Sequence, residues 1–212
     1  MDEIVIRAMQ KWPNVPNVFG WLKLDLRGNW LVKSRQTREG APVFERITNA
    51  AVVDFIGRNY EHDASGRWFF QNGPQRVFVT LEYTPLVFRL RGDGESIEAH
   101  TGREPGEVRT AWVDDAGMLV LETDLGPGVV LDRDLAPLLD RDLPALLDRI
   151  VTDGGRVSEE TLHALTGGAD VPPLALELKT RRVPLGSILA AEVPARFGFD
   201  PDPRPAPGEP EC

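Results

Sequence analysis

The residue types that do chemistry on their own are sparse in this chain, and none sits at the spacing of a familiar active site. The three histidines, His62, His100 and His163, are far apart, and Cys212 is the single cysteine, so a zinc site built from Cys and His is not expected. A glycine-rich dinucleotide loop, a phosphate loop ending in Gly-Lys-Ser/Thr, a Gly-x-Ser-x-Gly elbow and a His-Glu-x-x-His helix are all missing. Carboxylates remain. Asp114, Asp115, Glu122 and Asp124 gather around one predicted hairpin and could supply the paired acids of a hydrolase. A catalytic pair needs burial, which a hairpin tip seldom provides, so the turn reading is favoured. Asp132-Arg133-Asp134 and Asp140-Arg141-Asp142 read as solvated helix ends, because arginine interrupts each pair and no calcium-loop glycine and glutamate accompany them. No catalytic residue, cofactor or metal ligand is expected.

A binding signal comes instead from amides and a guanidinium set beside an aromatic ribbon. Arg67-Trp68-Phe69-Phe70-Gln71 and the run from Gln75 through Val77, Val79 and Leu81 to Tyr83 flank Asn72-Gly73-Pro74, which is a β-hairpin pattern. Trp68, Gln71, Asn72, Gln75, Arg76, Glu82 and Tyr83 are the candidate ligand-binding residues. Together they offer stacking faces and hydrogen bonds to a flat, polar or anionic molecule. The same groups can simply fix the turn, and the alternation at Val77, Val79 and Leu81 marks one face as core. Arg91-Gly92-Asp93 reads as a turn beside Gly94.

The elements that position these groups follow a repeated order. Residues 18–26 and 30–33 form a hairpin across Arg27-Gly28-Asn29, and Thr48 or Asn49 caps a helix carrying Val52, Phe55, Ile56 and Tyr60 on one stripe. The 66–83 hairpin follows. Further on, 108–113 and 118–123 flank the turn Asp114-Asp115-Ala116-Gly117. Leucines from 135 to 147, with Ile150, predict a helix divided at Pro144, and Ser158 starts a shorter one. Residues 174–179 and 183–189 close the pattern as strands, with Pro184 expected to confine its strand to an edge or end. Two hairpin-helix-hairpin units in series, bridged by 86–90 and 96–100, predict an α+β fold with mainly antiparallel sheets. The expected boundaries are 1–92, 93–199 and a proline-rich, disordered tail over 200–212.

Composition narrows the function classes. The chain has 212 residues, 42% apolar and 27% charged, enough for a buried core without metal or disulfide staples. A net charge of −9 argues against binding a nucleic-acid polymer, although residues 1–60 carry 9 Lys/Arg against 6 Asp/Glu and keep a locally basic face. Neither an export signal nor an 18-residue apolar run is present, so a cytoplasmic protein with no membrane partner is expected.

With those residues in view, the chain resembles a family of uncharacterised, mainly proteobacterial proteins built on a domain of unknown function. The resemblance rests on Gly28-Asn29-Trp30, the helix at 52–56, Gly66-Arg67-Trp68-Phe69-Phe70, Pro74 and Val79-Thr80-Leu81-Glu82-Tyr83-Thr84-Pro85. It departs at Tyr83-Thr84, where the family has an acidic residue before the proline. The resemblance implies a duplicated α+β core whose C-terminal half is similar to pleckstrin-homology-like barrels. It also implies a pocket between the halves for a nucleotide-like molecule, and a signalling role. The favoured expectation is a ligand-binding or regulatory protein with a small anionic or nucleotide-like ligand. A hydrolase using the carboxylates near 114–124 and a protein-interaction module are the alternatives, and a homodimer is a further partner expectation.

Overall fold

The structure, a computed structural model, describes residues 1–37, 40–91, 96–131, 150–152, 155–158, 160–161, 164, 173–178 and 181–209. The fold is α+β, with two mainly antiparallel sheets and few helices. Two compact units divide the chain: unit 1 holds Met1–Pro85, His100–Arg103 and Gly198–Cys212, and unit 2 holds Leu86–Ala99 and Glu104–Phe197. These limits correct the expected boundary after residue 92. The strand at Leu86–Leu90 belongs to the second sheet because Val87 pairs with Val129 there.

Unit 1 contains α1 (Glu3–Lys11), β1 (Val18–Leu24), β2 (Trp30–Gln36), β3 (Pro42–Arg46), α2 (Ala50–Arg58), β4 (Tyr60–His62), β5 (Trp68–Asn72) and β6 (Gln75–Leu81). Its six-stranded sheet runs β3-β2-β1-β6-β5-β4. Both expected hairpins form, and β3 and β4 extend each into a three-stranded meander. The first turn is built by Asp25, whose carboxylate accepts from the amides of Arg27 (2.9 Å) and Asn29 (2.7 Å). Asn49 caps α2 by accepting from the Val52 amide at 3.3 Å. At the centre β1 and β6 run parallel, with Leu22 opposite Val79 and Leu24 opposite Leu81.

Alternation along β5 sends Trp68 and Phe70 to one side of the sheet and Phe69 and Gln71 to the other. On the first side Trp30, Tyr60 and Trp68 form a ring cluster, with Trp30–Tyr60 and Tyr60–Trp68 centroids both 4.9 Å apart. Val52, expected on the buried stripe of α2, is 42% exposed, and Ile56 carries the burial instead. Fully buried Tyr60 donates its hydroxyl to the Pro85 carbonyl at 3.1 Å, and desolvation pushes its pKa well up. On the second side Phe19 stacks on Phe78 at 4.5 Å.

The segment 198–209 is ordered against unit 1, which corrects the expectation of a disordered tail from residue 200. Proline removes few bonds here, because an amide and a carbonyl of the segment both find partners in unit 1: Asp200 N–H donates to the Gly66 carbonyl (3.0 Å), and the Pro201 carbonyl accepts from Leu81 N–H (2.7 Å). Phe199 is buried beside them. Gly66 permits the approach, since it has φ +75° and any Cβ there would overlap the Gly198 carbonyl.

Unit 2 contains β7 (Leu86–Leu90), β8 (Ile97–Ala99), β9 (Val108–Asp114), β10 (Leu119–Thr123), β11 (Gly126–Val130), β12 (Ile150–Thr152), β13 (Gly155–Arg156), β14 (Leu174–Leu178), β15 (Arg181–Ile188) and α3 (Val193–Phe197). Among the described residues its nine strands run β13-β12-β14-β15-β9-β10-β11-β7-β8. Six of them, β12-β14-β15-β9-β10-β11, repeat the order and directions of β4-β5-β6-β1-β2-β3, including one parallel seam, β15 with β9. The internal repeat suggested by the order of hairpins is therefore present in the topology.

Two expectations for this unit change. Ile150 lies in a strand and not at a helix end, because it pairs with Leu176. Pro184 sits in an interior strand, tolerated because β15 meets β9 only from Leu185 onward. The divided leucine helix of 135–147 and the Asp-Arg-Asp pairs lie outside the described residues.

Candidate functional site

The residues that could hold a ligand meet at the turn end of the β5–β6 hairpin. Gln71 and Arg76 stand opposite one another in the ladder. Gln71 is 1% exposed; its Nε2 donates to the Gly73 carbonyl at 2.9 Å, and its buried Oε1 has no hydrogen-bond partner among the described residues. The Arg76 guanidinium lies 4.6 Å over the Phe69 ring, and no carboxylate among the described residues pairs with it.

The facing wall comes from the N-terminal segment. Helix α1 begins with Glu3 and ends with Lys11, charges that suit its dipole, and stops at Trp12 because Pro13 disfavours a helical residue before it. It is anchored by Val5, 1% exposed, and by the Asp2 amide, which donates to Asn59 Oδ1 at 2.7 Å. Arg58 hydrogen-bonds the Asp2 carboxylate and lowers its pKa. Two bonds fix the chain beyond the helix: Gln75 Nε2 donates to the Pro16 carbonyl (3.0 Å), and Asn17 Nδ2 donates to Glu209 Oε1 (2.8 Å).

Between these walls lies a cleft of about 490 Å³, lined by Met9, Trp12, Asn14 and Asn17 on one side and Gln71, Pro74 and Arg76 on the other. Every lining residue belongs to unit 1. Glu209, next to the cleft through Asn17, also accepts from Arg67 Nη1 at 2.7 Å. That bond holds the Glu209 carboxyl below its ordinary pKa and raises that of Arg67, which Asp63 also contacts at 2.8 Å.

Of the seven residues singled out from sequence, the structure brings Gln71 and Arg76 to the cleft and uses Gln75 to hold its wall. Trp68 points to the opposite side of the sheet and is packed between Tyr60 and His62. Asn72 is exposed at the turn. Glu82, beyond the far end of β6, faces Lys23 at 3.6 Å, and Tyr83 follows it. Met9, Trp12, Asn14 and Asn17 were missed. The available signal was Trp12-Pro13, an exposed aromatic at a helix stop followed by amides.

The carboxylates proposed for hydrolysis do not form a pair. Asp114 accepts from the amides of Ala116 (2.9 Å) and Met118 (2.7 Å), and Asp115 accepts from the Ala190 amide (2.7 Å). At the other end of β10, Glu122 accepts from the Thr110 hydroxyl, and Asp124 binds the Glu107 amide and Arg109. Each acid fixes local backbone or a neighbour. Among the described residues no three His, Cys, Asp or Glu side chains could hold a metal ion, and no helix is long and apolar enough to cross a membrane.

Fold and site together define an α+β protein of two topologically similar units with a polar cleft on the first. The chain belongs to the family described as "Protein of unknown function (DUF2946)", whose family model matches residues 1–204. Among solved structures it is similar to a DUF1285 family protein from Silicibacter pomeroyi DSS-3, at 13% identity and a TM-score of 0.44, covering 89% of this chain and 97% of that one. A DUF1285 family protein from Shewanella baltica OS155 matches at 14% identity and a TM-score of 0.36, covering 56% of this chain and 90% of that one. No curated protein matches the chain.

Proposed function

We propose that the protein is a cytoplasmic, non-enzymatic regulator that binds a small anionic, nucleotide-like ligand in the cleft of unit 1. The observation that carries this reading is Arg76, a guanidinium held over Phe69 at 4.6 Å with no carboxylate partner among the described residues, in a chain of net charge −9. Where acids outnumber bases, a cation left uncompensated on a cleft wall is suited to an anion from outside, and guanidinium donors match phosphate or carboxylate oxygens. Trp12 adds a flat apolar face, and the cleft volume falls in the range of small-molecule sites. The acids of the β9–β10 hairpin each hold local backbone or a neighbouring side chain, which weighs against hydrolysis, and the single cysteine suits a reducing compartment.

Thermal-shift titration with purine and pyrimidine nucleotides tests the reading. A ligand at ~100 times its dissociation constant adds about 2.7 kcal/mol of stability. The shift should vanish in Arg76→Gln. A panel of nucleotides and related anions that leaves the melting temperature unmoved overturns it.

A further inference from the structure

We infer that the outer edge of β3 is a docking site for an extended, acidic segment of a partner protein, which adds to the unit 1 sheet as a further strand. The site is separate from the cleft and stands whether or not the cleft holds an anion.

The first observation is a difference between two equivalent edges. β3 corresponds to β11 in the shared six-strand order, and β11 is covered by β7, which pairs with it in parallel from Leu86 to Phe88. In unit 1 the sheet ends at β3 among the described residues. Where unit 2 places β7 ahead of β9, unit 1 has α1 and the wall of the cleft ahead of β1. The edge that unit 2 fills from its own chain is left open.

The ladder gives the direction of the backbone groups on that edge. Just past β3, Ile47 N–H donates to the Trp30 carbonyl at 2.9 Å, and the Val43 carbonyl accepts from Ser34 Oγ at 3.3 Å, so residues 43, 45 and 47 turn their peptide groups toward β2. Those of Phe44 and Arg46 turn outward. A row of outward N–H and C=O groups is a template that an extended polypeptide matches and that a membrane or a nucleic acid does not.

Side chains beside the edge name the chemistry of the partner. Register sets Phe44 opposite Lys33 and Arg46 opposite Leu31, and Lys33 Nζ lies 5.5 Å over the ring of Trp21, which is 49% exposed. Lys33 and Arg46 have no ion-pair partner among the described residues, in a chain of net charge −9. Partner residues laid beside Phe44 and Arg46 share this face, so carboxylates there meet two uncompensated cations. The other face carries Glu45, which accepts from Ser34 Oγ at 3.0 Å, and suits uncharged residues. An alternation of acidic and uncharged side chains answers both faces. A second copy of this chain fits poorly: antiparallel pairing of two β3 edges about these residues sets Glu45 against Glu45, Arg46 against Arg46, or Arg46 against Pro42, which has no amide to donate.

The probe is a capped peptide of about eight residues that alternates glutamate with valine and threonine, labelled for fluorescence anisotropy and titrated with the full chain. It should bind, and the same peptide with lysine in place of glutamate should not. Arg46→Glu and Lys33→Glu should each weaken binding on the order of tenfold while the melting temperature stays near that of wild type. Strand addition is read on the peptide without any variant: N-methylating alternate amides in one phase should abolish binding, and in the other phase should leave it intact. Amide exchange should slow at Phe44 and Arg46 when the peptide binds, whereas Ile47, already bonded to Trp30, should not change. Equal tolerance of both methylation phases, or no binding of the glutamate peptide, overturns the inference. Protection of Phe44 and Arg46 by raised protein concentration alone also overturns it, because the edge then belongs to a second copy.

Discussion

Units 1 and 2 thread six strands in the same order and direction, and they fill the resulting cores with different chemistry. Unit 1 buries Trp30, Tyr60, Trp68, Phe69, Phe70 and Phe78, whereas unit 2 buries Val113, Val120, Leu121, Val129, Leu176 and Val183 around Phe88. Aliphatic and β-branched side chains fill a sheet face without polar handles and need no partners. Aromatic ones bring indole and phenol groups: that of Tyr60 is matched by the Pro85 carbonyl, whereas the buried Trp30 Nε1 has no hydrogen-bond partner among the described residues. The same strand order thus supports two kinds of interior. Two glycines, one from each unit, differ in their surroundings: Gly66 in unit 1 is crowded by the Gly198 carbonyl, whereas Gly117 in the β9–β10 turn has nothing within 4 Å.

The largest test truncates each core. Trp68→Ala should cost about 3–5 kcal/mol and Leu121→Ala about 2–5 kcal/mol. Four of the five tryptophans lie in unit 1, so urea titration by tryptophan fluorescence reads that unit, and far-UV circular dichroism reads both. A Trp68→Ala penalty below about 1 kcal/mol would show that the ring cluster is not the core of unit 1.

Next come the glycines. Both have positive φ, +75° at Gly66 and +81° at Gly117. Gly117→Ala should therefore lose only the left-handed backbone term, about 1–2 kcal/mol. Gly66→Ala adds displacement of the 198–209 segment and should lose distinctly more. Equal melting temperatures for the two variants would mean that this segment does not press on Gly66.

The smallest effect is electrostatic. Because the folded pKa of Glu209 is depressed, chiefly by its hydrogen bond from Arg67, its contribution is present above the ordinary glutamate value of about 4.3. It is lost as pH falls through the lowered native value. Wild type should thus lose melting temperature more steeply than Glu209→Gln as pH falls below the ordinary glutamate value of about 4.3. In unit 2 the exposed pair Arg109–Asp124, with side chains 58% and 48% exposed, is screened by water. Asp124→Asn should change stability by no more than about 1 kcal/mol. A Glu209→Gln profile parallel to wild type would place that pair in the same weak class.

Much of this fold was legible before any coordinates. The β5–β6 and β9–β10 hairpins follow from alternating residues around Asn72-Gly73-Pro74 and Asp114-Asp115-Ala116-Gly117, signals that need only neighbouring residues. The third strands were not legible. β3 and β4 are a short edge run with proline and a three-residue piece, too brief for a period to show. The cleft was half legible: Gln71 and Arg76 carry the right groups, but Trp68, one register position from Phe69, faces the other way.

Local pattern alone decided the α+β class, the main hairpins, the capped helix at 50–58 and the scarcity of catalytic motifs, because turn chemistry and side-chain period act over a few residues. Tertiary structure alone decided that β1 meets β6 and β9 meets β15 in parallel, and that 198–209 returns to unit 1. It also decided that Trp12 and Asn14 face Gln71 and Arg76 across one cleft. Those pairings join residues far apart in the chain, and only the competition among whole surfaces for burial and for backbone partners selects them.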